Sequence, residues 1–305
     1  MAQNKKKAKI PLPLRIIRTV FPMLESVAPS VAGRWGVQLF VKPFRFAYPP
    51  AEQAWLEKAN QQELQVVGQP VKVYRWGKGK PAILMHGWSG RGTQLHRFIQ
   101  PLINKGFEVI AMDATGHGKS GGKTSNLIEF AAGLEQLITS LDETPVYIGH
   151  SLGGAAGYLG MSQNQFQLKR MVSIGTPTIG ADIISEFLQR INGRPASGQY
   201  LDQYVQKRFG NTFAYYSAIE SAKRLQPHYQ VPTLVVHGER DREAPVAHSE
   251  ALHQLLKSAQ LLVVPDVGHT SILKNEDVVQ RIVEFVAGEE DTDEPEALFT
   301  AGTSA

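Results

Sequence analysis

The 305-residue chain contains no cysteine. That absence excludes a disulfide framework, a thiolate nucleophile, a Cys-ligated zinc and an iron–sulfur cluster, and it leaves hydroxyl, imidazole and carboxylate groups to carry any chemistry. Long apolar runs are lacking as well. Nowhere do about 18 uncharged apolar residues follow one another, so no segment reads as a membrane-spanning helix. A secretion signal is not legible either. Lys5, Lys6, Lys7 and Lys9 precede the apolar stretch Ile10–Leu14, but Arg15 and Arg18 interrupt what a signal needs unbroken, and Pro11, Pro13 and Pro22 oppose a continuous helix. We therefore expect a soluble or peripheral, cytoplasmic protein.

Net charge is low at +4 but unevenly placed. Residues 1–50 hold nine Lys/Arg against the single acid Glu25, residues 287–305 hold six acids and no base, and residues 51–286 carry 23 basic against 21 acidic side chains. A body so close to neutral has no cationic stripe for phosphate backbones, so no nucleic-acid partner is expected.

From about residue 64, short β-branched runs alternate with longer amphipathic stretches, the pattern of an α/β fold with a mostly parallel sheet and crossover helices. Strands are expected at Val71–Trp76, Ala82–Met85, Glu108–Met112, Val146–Ile148, Arg170–Ile174, Thr233–Val236 and Leu261–Val264. Helices are expected at Gly92–Lys105, Leu127–Leu141, Leu152–Gln163, Val246–Ser258 and Asn275–Val286, with Pro101 unsettling the C-terminal half of the first. The alternation breaks between Pro177 and Pro232, a stretch too long for an ordinary crossover and rich in aromatics from Tyr200 to Tyr216. It reads as a small helical insertion at the sheet's carboxyl edge, where α/β proteins bind ligands.

The sharpest local signal is Gly149-His150-Ser151-Leu152-Gly153, with a strand run before it and a helix pattern after it. Gly-x-Ser-x-Gly between strand and helix makes a turn so tight that its flanking positions must be glycine, and it presents the serine hydroxyl at the sheet edge. A serine hydroxyl is a weak nucleophile and requires a base and an acid that orients the base. Two later strand ends supply them, in His237-Gly238-Glu239-Arg240-Asp241 and Pro265-Asp266-Val267-Gly268-His269. Parallel strands end at one edge, so Ser151, Asp241 and His269 converge there; Glu239, Asp266 and, more remotely, Asp182 are competing carboxylates. His248 and His253, five residues apart, do not share a helix face and make a poor metal pair.

Four separated motifs now resemble one family. Leu84-Met85-His86-Gly87-Trp88, Asp113-Ala114-Thr115-Gly116-His117-Gly118-Lys119-Ser120, the turn around Ser151, and the Asp241 and His269 loops are similar to those of α/β-hydrolase-fold enzymes of the serine esterase and lipase type. The resemblance covers residues 64–287. It implies an α/β-hydrolase fold, in which the sequence pattern places a cap insertion at about 177–231, with a basic N-terminal extension, 1–63, before it and a disordered acidic tail, 288–305, after it.

The same resemblance implies that the acid is Asp241, four residues after the histidine of its motif. It also implies that the backbone N–H groups of Trp88 and Leu152 form the oxyanion hole, and that His86 and His150 support the site rather than react; His117 reads as part of a turn stabilised by Gly116 and Gly118. Hydrolysis of a small-molecule carboxylic ester through an acyl-enzyme is the implied activity, with no cofactor and no metal. Ser151 disfavours dehalogenases and epoxide hydrolases, which place aspartate there. Thioesterase, lipase and haloperoxidase chemistry use the same three residues, and a non-catalytic binding protein would ordinarily have lost one of them. Weak peripheral membrane contact through residues 5–21 is a separate expectation, from the cations interleaved with Ile10, Leu12, Leu14, Ile16, Ile17, Val20 and Phe21.

Overall fold

The computed structural model describes residues 12–288. Lys5 to Lys9 and all but the first residue of the 288–305 tail therefore lie outside the described residues. The chain divides into two compact units: residues up to Val41 together with Gly180–Ala214, and Lys42–Ile179 together with everything from Tyr215 onward.

The larger unit is built on eight strands: β1 (Asn60–Val66), β2 (Gln69–Trp76), β3 (Lys80–Met85), β4 (Phe107–Met112), β5 (Val146–His150), β6 (Arg170–Ile174), β7 (Thr233–Gly238) and β8 (Ala259–Val264). Their spatial order is β1-β2-β4-β3-β5-β6-β7-β8. β2 runs antiparallel to both β1 and β4, and every later pairing is parallel. All seven expected strands are present. β1 was not expected, because its sequence Asn-Gln-Gln-Glu-Leu-Gln-Val is polar and mostly exposed, as suits an edge strand with water on one side. It is held to β2 by the two-residue turn Val67-Gly68, both at positive φ, 50° and 71°.

Alternation along the strands separates two apolar layers. Ala82, Leu84, Val109, Ala111, Val172 and Ile174 share one layer with side chains of α3 (Pro50–Lys58), α4 (Ile99–Asn104) and α11 (Glu276–Ala287). Ile83, Met85, Ile110, Met112 and Met171 share the other with α5 (Leu127–Thr139), α6 (Leu152–Ser162), α9 (Ala218–Leu225) and α10 (Ala247–Leu255).

The expected helix at 92–105 is divided in an unexpected way. Gly92–Phe98 is a 3₁₀ segment and the half containing Pro101 is the α-helical one. Pro101 is the third residue of α4, where a backbone N–H would have no intrahelical partner in any case.

The smaller unit consists of α1 (Leu12–Val27) and α2 (Pro29–Phe40) with α7 (Gly180–Ile191) and α8 (Gly198–Phe209). Phe21, Ala32, Leu188 and Ile191 form its core. Gly33 leaves room for the Tyr200 ring, which a Cβ there would overlap. The buried carboxylate of Glu25 accepts hydrogen bonds from the Arg194 amide, at 3.0 Å, and from the Ser197 hydroxyl.

Pro22 does not interrupt α1, contrary to the expectation from sequence. The carbonyl that it cannot reach, on Arg18, accepts a hydrogen bond from the Asn192 side-chain amide at 3.1 Å. A contact distant in sequence thus replaces the missing helical bond.

Both expected boundaries move accordingly. The 1–63 extension divides at Val41, because Lys42 onward belongs to the larger unit. There Arg45 donates to the carbonyls of Gly116, Gly118, Ser120 and Gly122 at 2.7–3.1 Å, and Glu52 pairs with Arg91. The insertion that joins α1 and α2 is Gly180–Ala214 rather than 177–231, since α9 places Ala218 and Ala222 in the main core. The insertion's aromatics serve the packing of the smaller unit: Tyr200 lies on Gly33 and Phe213 against Phe40, both of α2, and Tyr204 lies against Phe209.

Candidate active site

Ser151 stands between β5 and α6 with φ 53° and ψ −121°, a conformation that an L-residue adopts only when its surroundings impose it. They do so through glycine. A Cβ on Gly153 would lie 2.5 Å from the Met85 carbonyl oxygen, and one on Gly149 would lie 2.7 Å from the Gly154 nitrogen. The Ser151 amide continues the sheet ladder by donating to Ile174 O at 2.8 Å, which ties the turn to β6.

The His86-Gly87-Trp88 turn packs directly on this serine. A Cβ at Gly87 would stand 2.7 Å from Ser151 Cβ and 3.2 Å from its Oγ. Gly90 N–H donates to Gly87 O at 3.0 Å, so Trp88 and Ser89 are the central residues of a closed β-turn, and Ser89 has φ 57°. Central amides of such a turn are not used within it. Leu152 is the first residue of α6, where the amide likewise has no helical partner. His86 fixes the arrangement from behind: its Nδ1–H donates to Gly87 O at 2.7 Å and its Nε2 accepts from Ala114 N at 3.0 Å. Burial lowers its pKa to about 4, so it holds this neutral tautomer at neutral pH.

Asp241, in the loop after β7, and His269, in the loop after β8, meet with Nδ1–H donating to Oδ2 at 2.7 Å. The other oxygen of Asp241 accepts from the amides of Glu243 and Ala244 at 2.8 and 3.0 Å. Burial alone would raise this carboxyl's pKa. The His269 hydrogen bond and charge, aided by the two amides, outweigh burial and hold it below the ordinary carboxylate value.

Gly175, at the end of β6, lies against the pair, with a hypothetical Cβ 3.2 Å from Asp241 Oδ2 and 3.3 Å from His269 Nδ1. His237 approaches Asp241 at 3.5 Å, yet its Nε2–H is given to Ala244 O at 2.8 Å, and burial lowers its pKa, so it acts there as a neutral prop.

His150 connects the serine turn to His269. Its ring centroid is 4.7 Å from that of His269, and its Nε2–H donates to the His269 carbonyl at 2.9 Å. Burial, then the neighbouring His269, bring its pKa down to about 3.

The competing carboxylates stand elsewhere. Asp266 pairs with Arg240 at the surface, the Glu239 carboxylate accepts from the Asp266 amide, and Asp182 lies in the first turn of α7 in the smaller unit. His248 accepts the Thr178 amide through Nδ1 and His253 bonds to Ala259 O, so they share no ligand position. Among the described residues no group of three His, Cys, Asp or Glu side chains is placed to hold a metal ion. One residue escaped the sequence reading. Glu243 brings a half-exposed carboxylate to 3.9 Å from His269 Nε2, and as a loop acid two residues after Asp241 it carries no motif of its own.

Comparison with known proteins agrees with this frame. The model of the alpha/beta hydrolase family matches residues 82–281. The chain is 25% identical over 248 residues to a non-heme haloperoxidase of Rhodococcus erythropolis, a match covering 67% of this chain and 90% of the relative. It is 26% identical over 223 residues to a monoacylglycerol lipase of Mycolicibacterium smegmatis, covering 61% and 80%. Among solved structures it is similar in fold to an esterase of Exiguobacterium antarcticum, with TM-score 0.57, 21% identity and coverage of 74% of this chain and 98% of that one. With its eight-stranded, mostly parallel sheet flanked by helices, and with the family model spanning about two thirds of its length, the chain belongs to the alpha/beta hydrolase family.

Proposed function

We propose that the protein is a serine hydrolase of carboxylic esters. The observation that carries this is the convergence at one sheet edge of the strained Ser151 turn with the Asp241–His269 pair, linked by His150. His269 Nε2 takes the Ser151 proton as Oγ attacks the acyl carbon, then protonates the departing alcohol. Asp241 holds Nδ1 protonated, so that Nε2 is the basic nitrogen, and balances the imidazolium that forms. The amides of Trp88 and Leu152 receive the oxyanion, a contribution of about 3–4 kcal/mol for each well-placed donor. Water, activated by the same His269, then attacks the acyl-enzyme and releases the acid.

The likeness to a haloperoxidase favours a second reading, in which hydrogen peroxide replaces water as acyl acceptor and the product is a peracid. Both readings pass through the same acyl-Ser151. Hydrolysis of p-nitrophenyl acetate and butyrate, with Ser151→Ala as the control, tests the shared step. Monochlorodimedone bromination with acetate and peroxide reports the second. Equal ester turnover by wild type and Ser151→Ala would remove both.

A further inference from the structure

α1 has two apolar faces, and one of them is covered by the fold. Ile17, Phe21 and Leu24 pack into the core of the smaller unit. Leu12, Ile16, Val20, Met23 and Val27 are 66, 54, 42, 66 and 81% exposed. At roughly 100° per residue these five occupy an arc of about 80°, flanked by Thr19, Ser26 and the exposed Arg15. Scattered single aliphatics on a surface need no explanation, but five in register along four turns of one helix form a patch.

The segment that carries this patch is poor in acids. Residues 1–41 contain seven Lys/Arg and one acid, and that acid, Glu25, is buried and spends its oxygens on Arg194 and Ser197. An aliphatic stripe flanked by Arg15, on a segment whose one acid is buried, fits a surface that is apolar below and anionic above. A second copy fits poorly, because a symmetric contact through the stripe would set these cations against their own images.

We propose that α1 docks the protein in the plane of an anionic phospholipid bilayer. Leu12, Ile16, Val20, Met23 and Val27 enter the boundary between headgroups and acyl chains, while the exposed Arg15 beside them meets the lipid phosphates. The covered face, through Phe21, keeps the rest of the unit attached to the docked helix. The proposal is independent of the ester chemistry.

Flotation of the full chain with vesicles of phosphatidylcholine, with and without phosphatidylglycerol, tests it. Wild type is expected to float with the anionic vesicles and to be released as salt rises from 0.1 to 1 M, where the screening length shrinks from about 10 Å to about 3 Å. Ile16→Glu with Met23→Glu should reduce partitioning by about tenfold or more, with melting temperature and p-nitrophenyl acetate turnover unchanged. Should that pair disturb folding, Val20→Ser with Val27→Ser provides the milder perturbation. The proposal is overturned if wild type stays in the lipid-free fraction, or if a folded variant floats as well as wild type. It is also overturned if sedimentation without lipid reveals a dimer that the variant dissociates, which would assign the stripe to a second copy.

Discussion

Replacing Asp113 by Asn changes one atom and no volume, and the structure assigns that atom three donors. Asp113 follows β4 and is fully buried. Its Oδ2 accepts the hydroxyls of Tyr48 and Tyr74 at 2.9 and 2.7 Å and the Lys119 amide at 2.7 Å, while Oδ1 accepts the Gly92 amide at 2.6 Å. Burial, followed by the charge and hydrogen bond of Asp113, pushes both phenols above the ordinary tyrosine value, so they remain donors.

An amide nitrogen in place of Oδ2 lets the phenols turn and accept, but the Lys119 N–H cannot turn. One orphaned donor costs about 1–3 kcal/mol, and exchanging charge-assisted for neutral bonds at the remaining contacts adds about 2 kcal/mol more. Rotating the carboxamide moves the orphan to Gly92. Asp113→Asn should therefore destabilise the protein by about 3–5 kcal/mol, a large share of a typical 5–15 kcal/mol, and lower Tm by roughly 5–10 °C. Tyr48→Phe, which removes a single bond, should cost about 1 kcal/mol. Urea unfolding of both variants measures the difference. If Asp113→Asn costs no more than Tyr48→Phe, the account of this carboxylate as a shared acceptor is wrong.

Three further outcomes follow from the site. Asp241→Asn should leave KM for p-nitrophenyl butyrate nearly unchanged and reduce kcat by about 10⁴-fold, because the wrong His269 tautomer is then favoured; a loss under tenfold would argue against the assigned role. Gly153→Ala drives a Cβ to within 2.5 Å of the Met85 carbonyl, so a loss of about 1–3 kcal/mol or more is expected together with loss of ester turnover, read by thermal melting and by assay. Acidification should weaken the fold through its neutral histidines. Burial holds His86 near 4, and His117 and His150 near 3, against 6.5 for the free side chain. Their contribution is present in full above about pH 6.5 and is lost as pH falls toward these values, because only the unfolded chain takes up the protons. Each can contribute a slope of about 1.4 kcal/mol per pH unit, so the urea midpoint should drop clearly between pH 7 and pH 5; an unchanged midpoint would contradict the neutral assignments.

What the sequence made legible is what depends on local chemistry. Gly149 and Gly153 are glycine because backbone atoms occupy the space of a Cβ, and β3 to β7 are apolar because both sheet faces are covered there. The Asp241–His269 contact was legible because parallel strands end at one edge, and the bond forms there. What escaped depends on distant partners. Pro22 remains inside α1 because Asn192, 170 residues later, accepts the role of the missing donor. The polar β1 signals no strand until β2 pairs with it. Arg45 looks like one cation of a basic arm, and only the fold brings it to the carbonyls of Gly116, Gly118, Ser120 and Gly122. Asp113 stands in a recognisable motif, but its service to two tyrosines from other segments has no local signature.

The most direct test of the central claim is covalent. A fluorophosphonate captures a serine only where a base and an oxyanion hole already activate it. Incubation of wild type with the probe, followed by peptide mass mapping, should place one adduct per chain on Ser151. Ser151→Ala should take up none, and Asp241→Asn should label far more slowly. Absence of an adduct on folded wild type, or an adduct on any other serine, would contradict the account.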